Sequence, residues 1–116
     1  MTITGWYDLF LGQALRHVPA LRKSAATPRA RHQHLVIGPW GHAADNPIGE
    51  IDFGQVAQMD EAALHRQWFD HWLKGTDAGV DQWPFLRIFV MGANRWRDEN
   101  EWPLARTQFR PFHFHS

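Results

Sequence analysis

The pattern of apolar and polar positions predicts four short strands. Residues 34–37 form a compact apolar run, typical of a strand buried on both faces. Residues 86–91 alternate loosely and residues 109–115 more regularly, so both are predicted as strands. Residues 1–4 have the character of the end of a strand. A lone strand at either terminus has little to pack on, so we expect an interior piece of a longer protein or a truncated product.

A first helix is predicted from about residue 9 to residue 23, because Leu11, Leu15 and Val18 recur at helical spacing. Pro19 lacks the N–H group that a helix interior needs. We therefore expect a kink or an early end of this helix near Val18. Residues 24–30 follow as a loop.

A second helix is predicted after Asp60, a residue type favoured at helix N-termini. Leu64, Trp68 and Trp72 form a stripe at positions i, i+4 and i+8. Such a stripe is interpreted as core packing rather than as a binding platform. Gly75 stands where a helix-ending glycine belongs.

Three further stretches are predicted to be loops. Residues 39–58 contain several glycines and prolines, and a connection of this length in a compact domain is often functional. Residues 76–84 are rich in turn-forming types, and residues 95–103 are polar with flanking aromatic residues. The charged side chains of that last loop are interpreted as solvated local ion pairs, with docking between two domains as the alternative. They are Arg95, Arg97, Asp98, Glu99 and Glu101.

The order of elements up to residue 75 is strand end, helix, strand, long loop and helix. This order is typical of parallel strands joined by crossover helices, so an α/β fold is predicted. From residue 85 onward the pattern changes to strands and loops. We therefore expect a domain boundary between residues 75 and 84.

Composition narrows the function classes. The 116 residues are 44% hydrophobic and carry 12 basic and 12 acidic side chains, so charge gives no reason to expect nucleic acid or an acidic membrane as partner. The chain has no cysteine, which excludes disulfides, thiolate catalysis and cysteine-ligated metal sites. No signal peptide is recognised, and no apolar run approaches the roughly 18–20 residues of a membrane span.

The stretches TGWYD and GPWGH each follow an apolar lead-in and end in Asp8 and His42. Sites in open α/β sheets form at the carboxyl ends of strands, so these side chains would lie at one edge. A carboxylate that accepts the Nδ1–H of a histidine leaves the other ring nitrogen free to take a proton from a hydroxyl. The alternative is that Asp8 caps the following helix and His42 is an ordinary loop histidine. Trp6 and Trp40 flank the pair and are interpreted as packing residues, with walling of the site as the alternative.

The eight histidines raise the question of a metal site. Two H-x-H pairs would each point to one face of a strand, and a third pair lies six residues apart on the second helix. These pairs are His32 and His34, His113 and His115, and His65 and His71. Zinc sites need three or four converging ligands. The histidines are therefore interpreted as solvated or at the edge of the core, and no metal or other cofactor is expected.

Four stretches, in this order and spacing, resemble the cocaine esterase and X-prolyl dipeptidyl peptidase family of serine hydrolases. The resemblance covers nearly the whole chain, and the combination is more specific than any one piece. The stretches are GWYD at 5–8, GPWGH at 38–42, FDHWLKG at 69–75 and FVMGANRWRDENEWPL at 89–104.

The resemblance implies a fold and a catalytic pair. Asp8 matches the acid and His42 the base of a Ser-His-Asp triad, in the chain order Ser, Asp, His of α/β-hydrolases. Residues 1–78 would be the C-terminal part of an α/β-hydrolase domain. Residues 79–116 would be the first strands of a jelly-roll β domain of the galactose-binding type. Family members hydrolyse acyl esters or amides, including X-proline peptides.

The nucleophile is the departure from the family pattern. It belongs on a G-x-S-x-G turn upstream of the acid, and neither Ser24 nor Ser116 lies in such a turn. The oxyanion hole and the helical cap of the family also belong upstream. Without nucleophile and oxyanion hole the chain is expected to be inactive alone.

The sequence thus predicts the acid–base half of a serine hydrolase that acts on small-molecule esters or amides. The alternative is a non-catalytic interaction module, or a decayed remnant, that pairs through its strand edges. The acyl and leaving groups stay open, as do the oligomeric state and the choice between esterase, acylase and peptidase. The compartment is not fixed, although the cytoplasm is favoured.

Overall fold

The computed structural model describes residues 1–114, and these residues form a mixed four-stranded sheet with helices between its strands. The helices and strands are β1 (Thr2–Gly5), α1 (Leu11–Ser24), α2 (Pro28–Arg31), β2 (Leu35–Gly38), α3 (Glu61–Lys74), β3 (Leu86–Val90) and β4 (Arg95–Glu99). Short 3₁₀ turns occupy Gln55–Ala57 and Val80–Gln82.

The strands lie in the order β1-β2-β3-β4. β1 pairs with β2 in parallel and β2 pairs with β3 in parallel, whereas β4 returns antiparallel to β3. The parallel strands are separated along the chain by α1 and α3, so the predicted crossover arrangement is confirmed. β2 lies before residue 79 and its partner β3 after it, so one sheet contains strands from both sides of that residue. The assignment of residues 79–116 to a jelly-roll domain stays a prediction, and the sheet shows no division at its proposed boundary.

One face of the sheet is covered by α1. Val18 is the buried residue of this helix, and it joins a core cluster with residues of β2 and β3 and with Phe85, which precedes β3. The cluster consists of Val18, Leu35, Ile37, Phe85, Leu86 and Ile88. Because side chains alternate along a strand, Leu86 and Ile88 face α1 while Phe89 points to the opposite face.

The opposite face is covered in part by the long connection after β2. Phe53 and Ala57 from this connection pack on Phe89, and Trp96 of β4 packs against them. The indole N–H of Trp96 donates a hydrogen bond of 2.8 Å to the carbonyl of Val56. The connection is therefore held to the sheet by apolar packing and by one side-chain hydrogen bond.

The ends of α3 are those that the sequence predicts. The Asp60 carboxylate accepts the Ala63 N–H at 2.8 Å, and Gly75 closes the helix with φ of +70°. Trp68 and Trp72 are only half-buried, and α3 has no buried residue in this chain. Their rings pack on His32 at 6.3 and 5.4 Å between centroids. The aromatic stripe thus packs at a surface rather than within the core, contrary to the prediction.

Four predictions of local structure were wrong. α1 runs from Leu11 through Pro19 to Ser24, close to the predicted range 9–23, so only the early end expected near Val18 is wrong. Residues 28–31 form α2 within the predicted loop, where Thr27 caps a helix with proline in its first turn. The polar stretch 95–99 is a strand, since antiparallel pairing with β3 satisfies its backbone. The predicted strand at 109–115 has no strand in residues 109–114, and His115 lies outside the described residues.

Candidate active site

The candidate site forms where β1 and β2 end side by side. Gly5 and Gly38 are register partners at the carboxyl ends of these parallel strands. Beyond them, the N–H of Trp6 donates to the Gly38 carbonyl at 2.8 Å, and the N–H of Tyr7 donates to the Trp40 carbonyl at 3.2 Å. These two bonds extend the pairing past both strands, so the following loops leave the sheet together.

Two glycines permit this close approach. A Cβ on Gly5 would lie 1.8 Å from the carbonyl oxygen of Trp40, and a Cβ on Gly38 would lie 2.2 Å from its indole carbons. No side chain fits at either position. Trp40 itself is 3% exposed, and its ring packs on Trp96 with 5.7 Å between centroids. The loop that carries the histidine is therefore fixed at its root.

Asp8 follows β1 on the first of these loops, and its side chain is only 6% exposed. The carboxylate accepts the backbone N–H of Phe10 at 2.8 Å through Oδ1, and the hydroxyl of Thr4 at 3.0 Å through Oδ2. The residue at the N-cap of α1 is Phe10, and it makes no side-chain cap bond. Asp8 is therefore not the N-cap residue of α1, although its carboxylate does bind a backbone N–H just before that helix.

His42 follows β2 on the second loop and faces the same carboxylate. Its Nδ1 lies 3.3 Å from Oδ1 and 3.4 Å from Oδ2 of Asp8. Both separations are slightly longer than the usual hydrogen-bond range of about 2.6–3.2 Å. The imidazole is 63% exposed, and the edge of the Phe10 ring packs against it at 5.1 Å between centroids. The sequence therefore brings Asp8 and His42 together, and their catalytic roles stay a prediction.

The charge of Asp8 follows from these contacts. Burial raises the pKa of the Asp8 carboxyl, but the N–H of Phe10, the hydroxyl of Thr4 and the ring of His42 together outweigh it. The resulting pKa lies below the ordinary value, because three donors stabilise the ionised form. A carboxylate that stays ionised can support a positive charge on the neighbouring imidazole.

A cleft of about 330 Å³ opens beside the pair. Its walls come from β1, from the loop 40–44 and from the first turns of α3. They include Thr4, Asp8, Trp40, His42, Glu61 and His65. Since Nδ1 of His42 faces Asp8, its Nε2 is the ring nitrogen left to exchange a proton with a group outside the pair.

Sequence reasoning missed the contributions of Thr4, Glu61 and His65 to this cleft. A signal for Thr4 is present in the chain: it is a polar residue at the end of a buried strand, four positions before the acid. The two α3 residues carry no such signal, because only the fold brings the start of this helix to the carboxyl ends of β1 and β2. Trp40 lines the cleft. Trp6 does not line it, and its indole N–H donates to the Phe89 carbonyl at 2.7 Å.

The histidine pairs do not converge in the described part of the chain. His32 binds the carbonyl of Val80 at 3.3 Å, and His34 binds that of Pro84. Within residues 1–114, no group of three or more histidine and carboxylate side chains is arranged to hold a metal ion. None of the helices in that range has the length and apolarity needed to cross a membrane.

Three curated proteins are similar to the chain. A cocaine esterase from Rhodococcus sp. (strain MB1 Bresler) is 36% identical over 113 residues, which cover 94% of this chain and 19% of that protein. Proteins named "Putative serine esterase" from Mycobacterium bovis and Mycobacterium tuberculosis are each 28% identical over 106 residues, covering 90% of this chain and 16% of theirs. The chain thus spans less than a fifth of the length of these relatives. No family model matches it.

Proposed function

Because the chain belongs to the cocaine esterase family of serine hydrolases, we propose that it supplies the acid and the base of an esterase active site. Asp8 is the proposed acid and His42 the proposed base. The fold that carries them is proposed to be the C-terminal part of an α/β-hydrolase domain. The observation that supports this most is the 3.3 Å approach of the His42 ring to a buried carboxylate at the ends of adjacent parallel strands.

The geometry suits each proposed role. Asp8 is held on both oxygens by Phe10 and Thr4, so the carboxylate keeps one orientation toward the imidazole. His42 presents Nδ1 to that carboxylate, which favours the tautomer with the proton on Nδ1. Nε2 then carries a lone pair on the exposed side of the ring, where an incoming hydroxyl can reach it.

The proposed reaction is acyl transfer through a serine. Nε2 of His42 takes the serine proton as Oγ attacks the acyl carbonyl, and the imidazolium is stabilised by Asp8. The same proton then passes to the leaving group, which departs as the acyl-enzyme forms. Water then attacks the acyl-enzyme while His42 takes its proton, and return of that proton to Oγ releases the acid and restores the serine.

The nucleophile is proposed to come from outside these 116 residues. The chain has two serines, and neither Ser24 nor Ser116 lies in a G-x-S-x-G turn. Ser24 is the last residue of α1, and its hydroxyl donates to the Ala20 carbonyl at 2.8 Å. The chain alone is therefore proposed to be inactive.

The proposed substrates are small-molecule esters, in line with the esterase names of all three relatives. Amides are the second proposed class, since the same attack and proton transfer cleave both bonds. The described cleft holds the acid–base pair and one wall of a pocket. The acyl and leaving-group pockets are proposed to be completed by the segment that carries the serine.

The test begins with the coding DNA on the 5′ side of the Met1 codon, read in all three frames for a G-x-S-x-G stretch. The whole product is then expressed and assayed with p-nitrophenyl esters, as wild type, His42→Ala and His17→Ala. His17 is an exposed residue of α1 and serves as the matched control. Hydrolysis that depends on His42 but not on His17 supports the proposal. The absence of any such stretch, with no hydrolysis by the chain, rejects an enzymatic role for this polypeptide.

A non-catalytic role is the second candidate, because β1 is an outer strand of the described sheet and could pair with another chain. Sedimentation of the isolated chain separates the two. An interaction module gives a defined oligomer with a cooperative melting transition. A hydrolase fragment gives a poorly soluble chain with exposed aromatic surface.

A further inference from the structure

We propose that Thr4 is a positioning residue of this site: its hydroxyl holds the Asp8 carboxylate ionised and oriented toward His42. The inference rests on the proposed function and gives Thr4 a role that the family resemblance does not. Thr4 is 5% exposed and lies in β1 between Ile3 and Gly5.

A buried hydroxyl needs a hydrogen-bond partner, because an unpaired one loses the bonds that it makes with water. The Thr4 hydroxyl meets this need with Oδ2 of Asp8 at 3.0 Å. An ionised carboxylate has no proton to give, so the hydroxyl is the donor in this bond. The bond therefore favours the ionised form of Asp8 over the protonated form.

The bond also helps to fix the orientation of the Asp8 carboxylate. The Phe10 N–H takes one side of the carboxylate at 2.8 Å through Oδ1, and the Thr4 hydroxyl takes the other through Oδ2. The imidazole of His42 meets the remaining open side, almost equidistant from both oxygens. Phe10 precedes the first turn of α1, whereas Thr4 is a β1 residue paired with Ile37 of β2. Thr4 therefore ties the acid to the sheet itself.

The side-chain type fits this task. A β-branched threonine has few allowed χ1 rotamers, so its hydroxyl is aimed by the strand. Valine has the same shape without a donor, and serine keeps a donor without the methyl group. The pair Thr4→Val and Thr4→Ser thus separates the hydrogen bond from packing.

The experiment is an NMR titration of the longest soluble product that contains this chain, with labelled aspartate and histidine, as wild type, Thr4→Val and Thr4→Ser. The Asp8 carboxyl carbon is followed against pH, the His42 ring-nitrogen shifts report which nitrogen carries the proton, and a ¹⁵N–¹H spectrum of each variant reports folding. We expect Thr4→Val to raise the pKa of Asp8, because the carboxylate loses a donor, and to lower the share of the His42 tautomer with its proton on Nδ1, because the carboxylate is less well oriented. Thr4→Ser should return both readouts toward wild type.

A purely structural role for Thr4 predicts a different result. In that case Thr4→Val leaves the Asp8 titration and the His42 tautomer unchanged in a folded chain, or Thr4→Ser disturbs them as much as valine does, and the inference is overturned. If Thr4→Val unfolds the chain, the serine variant decides: wild-type readouts support the inference and altered ones reject it. These readouts require no hydrolysis, so a failure of the proposed function would appear separately in the esterase assay of His42→Ala.

Discussion

The indole of Trp40 lies so close over Gly38 that a Cβ on that glycine would meet ring carbons at 2.2 Å. This relationship sets the geometry of the candidate site, because Gly38 ends β2 and His42 follows four residues later. The ring is buried and packs on Trp96, so it has little freedom to move aside. The first turn after β2 therefore requires a residue without a Cβ at position 38.

We predict that Gly38→Ala destabilises the chain by about 1–3 kcal/mol, the usual effect of forcing an extra methyl group into a packed site. Gly12→Ala is the matched control, since a Cβ at Gly12 on α1 has its nearest neighbour at 3.8 Å. That control should stabilise the helix by about 0.5–1 kcal/mol. Urea unfolding measures both changes. Equal midpoints for Gly38→Ala and wild type would show that Trp40 moves without cost.

A second prediction concerns Trp96, which binds the Val56 carbonyl through its indole N–H. Trp96→Phe removes this donor and should cost about 0.5–1.5 kcal/mol. The local effect is faster hydrogen exchange at the Ala57 and Gln58 amides of the adjoining 3₁₀ turn. Trp102→Phe is the control, since Trp102 packs against the cluster on the other face. Equal exchange in both variants would contradict a role for Trp96 in holding the long connection.

A third prediction follows from the lowered pKa of Asp8. A carboxyl whose pKa is lower in the folded state stabilises the fold above its unfolded pKa of about 3.9, and this contribution is lost as the pH falls through the folded pKa. Asp8→Asn should therefore be less stable than wild type at pH 7, with the difference shrinking below about pH 4.

Urea midpoints at several pH values test this prediction. Glu50→Gln, at an exposed carboxyl of the long connection, serves as the control for the loss of one acidic side chain. A stability difference between Asp8→Asn and wild type that stays constant from pH 7 to acid would contradict stabilisation by the ionised form.

Strong local signals explain what the sequence predicted well. Asp60 and Gly75 mark the ends of α3 because capping chemistry is local. The apolar run of β2 is buried on every residue, as its composition predicts. The predicted parallel pairing of β1 with β2 puts Asp8 and His42 at the same edge of the sheet, where the structure has them.

Nonlocal pairing explains most of what the sequence missed. β4 reads as a polar loop, but Arg87 of β3 binds Asp98 through two hydrogen bonds of 2.6 and 2.8 Å, and Trp96 packs on Phe89. Charged residues of an outer strand pair with their neighbour in ways that a single stretch does not reveal.

The proposed role of His42 as the base of a serine hydrolase is tested by the activity of the longest product that contains this chain. Initial rates with p-nitrophenyl esters are measured for wild type, His42→Ala and His17→Ala. We expect His42→Ala to lower kcat by about 10³-fold or more and His17→Ala to leave kcat unchanged. Hydrolysis that survives His42→Ala undiminished would show that His42 is not the base.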